Sequence, residues 1–189
     1  GKLLALLGGD HSVSIGAALA MAESYPDLSV LYLDAHADFR DQYLGTPWGH
    51  ASAARRISEA CPLTLVGVRS VALEESHALK DKGVRVFPAP LADEPWDAVA
   101  AALSSHVYIS LDLDVLDSAI MSAVGTPEPG GLGWFPVLRL LRRVCESRRI
   151  VGFDLVELAP REGPAACAYT AAKLAYKLMA YATFLRPHS

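Results

Sequence analysis

An α/β fold, with helices on both faces of a mainly parallel sheet in a three-layer α/β/α arrangement, is what this chain predicts. Two observations carry that expectation. Short apolar runs rich in β-branched residues recur along the chain, and several show no polar alternation, as strands buried on both faces do. Segments with helical patterning lie between them in strict rotation, which calls for right-handed crossover connections. No stretch resembles a linker, so residues 1–189 read as a single domain.

The elements follow in order. Residues 3–7, Leu-Leu-Ala-Leu-Leu, form the first strand and stop at Gly8-Gly9. An alanine-rich helix is expected over 14–23, then the strand Val-Leu-Tyr-Leu at 30–33. A helix over 51–59 precedes the strand Leu-Thr-Leu-Val at 63–66, which starts after Pro62 and ends at Gly67. The segment 72–82 carries charged residues on a helical period and is closed by Gly83. The strand at 84–87 follows and ends at Pro88. Residues 96–103 are helical, 107–111 form the strand Val-Tyr-Ile-Ser-Leu, and 136–146 is a helix that opens on Pro136. The strand at 150–153 and a long final helix over 166–183 complete the chain.

Composition excludes several functions. Of 189 residues, 52% are hydrophobic and 20% charged, enough to bury a substantial core. The net charge is −4 and the lysines and arginines are scattered, so nucleic acid is not an expected partner. No apolar run approaches the roughly 20 residues that cross a bilayer, and the start lacks a signal peptide pattern. Cys61, Cys145 and Cys167 are odd in number and widely spaced, which suits reduced thiols and a cytoplasmic location.

The chemistry lies in three runs that follow strands: Gly8-Gly9-Asp10-His11-Ser12, Asp34-Ala35-His36-Ala37-Asp38 and Ser110-Leu111-Asp112-Leu113-Asp114. In extended chain, residues two apart project to one side, so Asp34, His36 and Asp38 are expected to converge, as are Asp112 and Asp114. With His11 they form six imidazole and carboxylate donors and no thiolate, a set suited to two hard or borderline divalent cations. An isolated histidine or Asp-x-Asp is usually structural. Six such residues at matching strand ends argue for ligation, because open α/β sheets bind ligands beyond the carboxyl ends of their strands. Asp10 and Asp117 read as turn-forming or supporting aspartates rather than ligands.

These three runs, extended to Ser-Leu-Asp-Leu-Asp-Val-Leu-Asp at 110–117, occur in order with Gly-Thr-Pro-Glu-Pro-Gly-Gly at 125–131 and Asp-Leu-Val-Glu-Leu-Ala-Pro at 154–160. Together they resemble the ureohydrolase family of arginases, agmatinases, formiminoglutamases and guanidino-acid hydrolases. The resemblance implies two manganese ions per subunit. His11, Asp34, Asp38 and Asp112 would hold one, and Asp34, His36, Asp112 and Asp114 the other, with Asp34 and Asp112 bridging. It also implies a proton-shuttling role for His50, a guanidinium-pairing role for Glu157, and a pocket-wall role for Thr126. Asp38 would help to stabilise the tetrahedral intermediate. The reaction implied is hydrolysis of a small cationic guanidinium to urea and a primary amine, in a homo-oligomer, trimer or hexamer.

Among substrates the resemblance points to agmatine, giving putrescine. Arginases carry asparagine and serine residues that grip the α-amino and α-carboxylate groups, whereas the segment at 40–52 has no asparagine. Arginase and guanidino-acid or formiminoglutamate hydrolase remain alternatives within the family. A zinc deacetylase of similar architecture needs only one metal and leaves part of the six-residue set without a purpose. A truncated, non-catalytic metal-binding subunit is the alternative of another class.

Two departures from the family pattern bear on structure. Ser118 stands where proline is usual, and 119–124 lacks the usual prolines and glycine, which predicts a looser or reshaped loop. The chain also opens within three residues of a strand expected to be buried, so N-terminal strands of the family fold are expected to be missing, with an unpaired edge as the result.

Overall fold

The computed structural model describes residues 2–185. At the centre of its sheet lie β2 (Leu28–Leu33) and β5 (His106–Asp112), parallel neighbours in register from Leu28 opposite His106 to Leu33 opposite Leu111. β3 (Leu63–Val66) and β4 (Arg85–Phe87) extend the sheet from β2. β6 (Arg149–Val156) and β1 (Leu4–Leu7) extend it from β5. All six strands are parallel in the order β1-β6-β5-β2-β3-β4. The chain turns one way after β2 and the other way after β5, so the point where the strand order reverses falls between these two strands.

The helices are α1 (Val13–Ser24), α2 (Ala53–Ile57), α3 (Leu73–Asp81), α4 (Trp96–Ala101), α5 (Trp134–Ser147) and α6 (Ala165–Phe184). They divide between the two faces. Ile15, Ala18, Ala54, Ile57 and Leu79 from α1–α3 pack with Val30 and Tyr32 of β2. Val99, Leu140, Leu141 and Leu174 from α4–α6 pack with Leu31 and Leu33. Alternate residues of one buried strand thus serve opposite cores, which is the three-layer arrangement expected. In α5 the buried residues Val137, Leu140, Leu141, Val144 and Cys145 follow the helical period and leave the arginines outside.

Three expectations need correction. The first strand is not buried on both faces: β1 is the sheet edge, with Leu4 40% and Leu7 72% exposed. Its apolar residues lack a covering layer there. The loop 119–124 is well packed rather than loose, since Met121, Ala123 and Val124 are buried and the Asp117 carbonyl accepts the N–H groups of Ile120 and Met121. Those two backbone bonds supply the restraint that proline would have given. The helix expected over 51–59 is shorter, beginning as a 3-10 turn (His50–Ser52) and continuing as α2. Among the described residues, no helix is long and apolar enough to cross a membrane. His188 lies outside the described residues.

Candidate metal centre and pocket

Each of the four chain segments that leave β1, β2, β5 and β6 delivers a polar side chain to one rim. Asp34 follows β2 directly and Asp112 ends β5, so adjacent strands fix these two carboxylates side by side. His11 reaches the same point from the turn after β1, with Nδ1 3.0 Å from Asp34 Oδ2, 3.1 Å from Asp112 Oδ2 and 3.4 Å from Asp38 Oδ2. His36 Nδ1 lies 2.9 Å from Asp114 Oδ2 and 3.4 Å from Asp34 Oδ1. Two groups of donors, His11 with Asp34 and Asp112, and Asp34 with His36 and Asp114, are each close enough to hold an ion, and they share Asp34.

The route by which they converge differs from simple alternation. Asp38 sits at φ +49°, where the chain turns away from extended geometry. Asp114 lies in a 3-10 turn, Leu113–Val115, capped by Asp112. What aims the carboxylates is backbone hydrogen bonding. Asp34 Oδ1 accepts the His36 N–H (2.6 Å), Asp112 Oδ1 the Asp114 N–H (2.8 Å) and Asp114 Oδ1 the Ala35 N–H (2.9 Å). In all three, Oδ1 is pinned and Oδ2 faces a histidine Nδ1.

The chemistry of this cup fits divalent cations. His11 Nδ1 and Asp34 Oδ2 are buried and face one another at 3.0 Å without hydrogen-bond geometry, an arrangement that costs free energy unless something else occupies the centre. Without cations the cup retains protons. Burial, then Asp38 and Asp114, pushes Asp34 up to about 7, and burial with Asp34 raises Asp112 well above the carboxylate range. Burial lowers His36, but Asp114 and Asp34 outweigh it and hold the imidazolium up to about 11. His11 is likewise raised by Asp112, Asp34 and Asp38 against its burial. Asp114 is lowered: burial opposes, and His36 wins. Crowded carboxylates that recruit protons are what paired cations would neutralise.

Several supporting residues escaped sequence reasoning. His11 Nε2 contacts Ser110 Oγ at 2.8 Å, and Ser110 donates to Asp154 Oδ1 at 2.9 Å, a buried relay that fixes the imidazole. Tyr32 stacks on His11 at 4.2 Å and donates its hydroxyl to Asp38 Oδ2 at 2.7 Å. Glu75 of α3, buried, accepts the N–H groups of Phe39 and Ala72 and so anchors the chain just after Asp38. The one available signal was Asp154, a carboxylate inside an otherwise apolar strand.

Beside the cup opens a cavity of about 700 Å³, lined by Asp34, His36, Asp38, Asp112 and Asp114 on its floor. Glu157, His50, Thr126, Asp10, Arg40 and Tyr43 contribute to its sides. Glu157 has φ +66°, and its Oε1 accepts the His11 N–H at 2.7 Å. Among the described residues it makes no ion pair with Arg161. His50 is half exposed, with Nδ1 3.9 Å from Asp10 Oδ2 and its ring edge-on to Tyr43. Thr126 is exposed at the mouth. Asp10 accepts from Ser12 N and Oγ, and Asp117 from the N–H groups of Ala119, Gly130 and Gly131; both shape turns.

The sequence profile described as the Arginase family matches residues 1–181. The chain belongs to the arginase family. An N(1)-aminopropylagmatine ureohydrolase of Synechocystis sp. is 38% identical over 187 residues, covering 96% of this chain and 61% of that protein. One from Thermus thermophilus is 42% identical over 180 residues, covering 93% and 61%. The crystal structure of agmatine ureohydrolase of Thermoplasma volcanium superposes with a TM-score of 0.86 at 35% identity, covering 97% of this chain and 63% of that one. This arginase-family chain therefore spans about three fifths of the length of these relatives.

Proposed function

We propose that this arginase-family chain hydrolyses the guanidinium group of agmatine or an N-substituted agmatine, releasing urea and the corresponding amine. The aminopropyl extension enters because the relatives named above include proteins named for that substrate. The single observation that carries the reading is the anionic cup in which three aspartates turn a free oxygen toward His11 or His36 at the floor of a cavity.

His11, Asp34, Asp38 and Asp112 would hold one manganese ion, and Asp34, His36, Asp112 and Asp114 a second. When bound, such a pair lowers the pKa of water so that a nucleophile is available near neutral pH. The protein's residues do the rest. Glu157 binds the guanidinium: the His11 N–H fixes its carboxylate, which accepts parallel N–H bonds from the planar cation and orients its carbon over the cup. Its unusual backbone conformation is the strain expected where a side chain is aimed for function. Once water has added to the guanidinium carbon, Asp38 balances charge at the tetrahedral centre, and departure of the amine needs a proton. His50, on the cavity side and open to solvent, delivers it and recovers one from water. Thr126 closes the wall beside Glu157.

The segment at 40–52 has no asparagine of the kind that would hold an α-carboxylate, which favours decarboxylated substrates over arginine. Assembly as a cytoplasmic trimer or hexamer belongs to the same reading and is measured by sedimentation. The deciding experiment assays urea from agmatine, N-aminopropylagmatine, arginine, guanidinobutyrate and formiminoglutamate with manganese, alongside a metal count. Urea from an agmatine-type substrate with two ions per chain is the expected result. Two ions with no urea from any substrate would identify a non-catalytic metal-binding subunit, and near-wild-type turnover by both His50→Asn and Asp114→Asn would overturn the residue assignments.

A further inference from the structure

We propose that Arg69 is a positioning residue for one of the two cation positions, the one made by Asp34, His36 and Asp114, and not for the one centred on His11. The inference rests on the metal-centre reading above. Arg69 lies just beyond β3, where the N–H groups of Arg69 and Ser70 both donate to the Ala35 carbonyl (2.8 and 2.9 Å) and Ala37 N–H donates to Ser70 (3.2 Å). The exit of β3 is thereby laced to the segment that carries Asp34 and His36.

The side chain extends that lacing to two further segments. Nη2 donates to the carbonyls of Asp114 (2.7 Å) and Glu128 (2.9 Å) and lies 3.4 Å from that of Leu116. Nε donates to Pro129 (3.0 Å) and Nη1 to Gly67 (3.0 Å). Among the described residues, Arg69 has no ion pair with a carboxylate; its donors go to backbone oxygens. Gly131 makes room for it, and Gly67 for the neighbouring Val115. A Cβ on Gly131 would lie 2.7 Å from Nη2, and Gly67, at φ +96°, would bring one to 2.6 Å from Val115. Asp117 anchors the same loop by accepting the N–H groups of Gly130 and Gly131.

One planar cation thus joins the backbone of Asp114 to the loop bearing Glu128, whose carboxylate lies 3.8 Å from His36 Nε2. Both ligands that belong only to this position depend on the junction. His11 does not; it is held through Ser110 and Tyr32. A lysine at 69 keeps the charge but cannot reach several carbonyls at fixed angles.

The test measures manganese binding to the 189-residue chain by calorimetry and electron paramagnetic resonance, for wild type, Arg69→Lys and Asp117→Asn. Each substitution is also combined with His11→Asn or His36→Asn, so that a single position remains. With only the His36 position left, Arg69→Lys is expected to weaken binding about tenfold. With only the His11 position left, the change is expected to stay within about twofold, as for uncoupled sites. Asp117→Asn is expected to show the same selectivity at smaller size, and it provides a second measurement should Arg69→Lys fold poorly. Equal weakening at both positions, or none at either, overturns the proposal. Failure of the wild-type chain to bind manganese would instead overturn the metal-centre reading itself.

Discussion

Ser110→Ala removes one oxygen from the interior and tests whether the relay behind His11 serves cation binding or only packing. In the wild type, His11 Nε2 has Ser110 as its hydrogen-bond partner at 2.8 Å, and Asp154 Oδ1 holds both the hydroxyl at 2.9 Å and the Leu111 N–H at 3.2 Å. The substitution strands a buried imidazole nitrogen and removes the Ser110 bond to Asp154, whose carboxylate keeps the Leu111 N–H and the neighbouring Tyr108 and Ser14 hydroxyls. Unpartnered buried polar groups cost about 1–3 kcal/mol each, and because Asp154 keeps Leu111 the total is about 2–3 kcal/mol. For a chain of this size that corresponds to a fall of about 4–12 °C in the metal-free unfolding midpoint. The imidazole also loses its orientation, so manganese affinity at the His11 position should fall by about 10- to 100-fold. Scanning calorimetry reads the first effect and a manganese titration the second. A lower midpoint with unchanged affinity would refute the relay's role in presenting His11, and no change in either would refute the buried contact.

Glu157→Gln keeps the shape that accepts the His11 N–H but removes the charge, and should lower kcat/KM for a guanidinium substrate by about 10- to 100-fold, the value of a charge-assisted hydrogen bond, with both metals retained. His50→Asn should lower kcat by about 100-fold or more and abolish the limb of the pH–rate profile that reports the shuttle, leaving metal content untouched; an unchanged profile removes His50 from the chemistry. Manganese uptake should release protons, seen as buffer-dependent binding heats, and tighten as pH rises from about 6 to 8, because ligation needs His36 and Asp34 without the protons they hold up to about 11 and about 7. The same raised values mean that the metal-free fold binds more protons than the unfolded chain, from about pH 4 upward for Asp34 and about 6.5 upward for His36. Its melting point should fall as pH climbs through that range, and a midpoint that rises instead would contradict the crowded-carboxylate picture.

Strand and helix existence was legible because the apolar runs are short and bounded by glycine and proline, while the segments between them carry helix formers, with a strong helical period in α5. Among the described residues all six strands and six helices overlap the expected ranges, with β2, β5 and β6 longer than expected, the last two running on through Asp112 and Asp154 because these are polar residues inside buried strands. An unpaired edge at β1 was expected, but the exposure of its faces was not legible, since an apolar run reports composition and not what covers it. The ligands were visible as residue types at strand ends, but the reason given for their convergence holds only at the strand termini. Asp38 and Asp114 arrive by a left-handed residue and a 3-10 turn. Ser110, Asp154, Tyr32 and Arg69 escaped because their partners lie far away in sequence, and a register between parallel strands cannot be read from either strand alone.

That distinction between strand-end and loop ligands carries a physical consequence. Leu33 and Leu111 are opposite one another, so Asp34 and Asp112 leave neighbouring strands at the roughly 4.8 Å spacing that any sheet imposes. Their separation is set by the ladder between two buried strands and needs no further device. His36 and Asp114 lie beyond those ends, where no ladder constrains the chain, and backbone bonds to Asp34 Oδ1 and Ala35 together with the Arg69 junction do that work. The centre is therefore rigid on one side by topology and on the other by side-chain clamps. Perturbations in the loops should cost the His36 position first, while perturbations of the β2–β5 pairing should cost the whole fold.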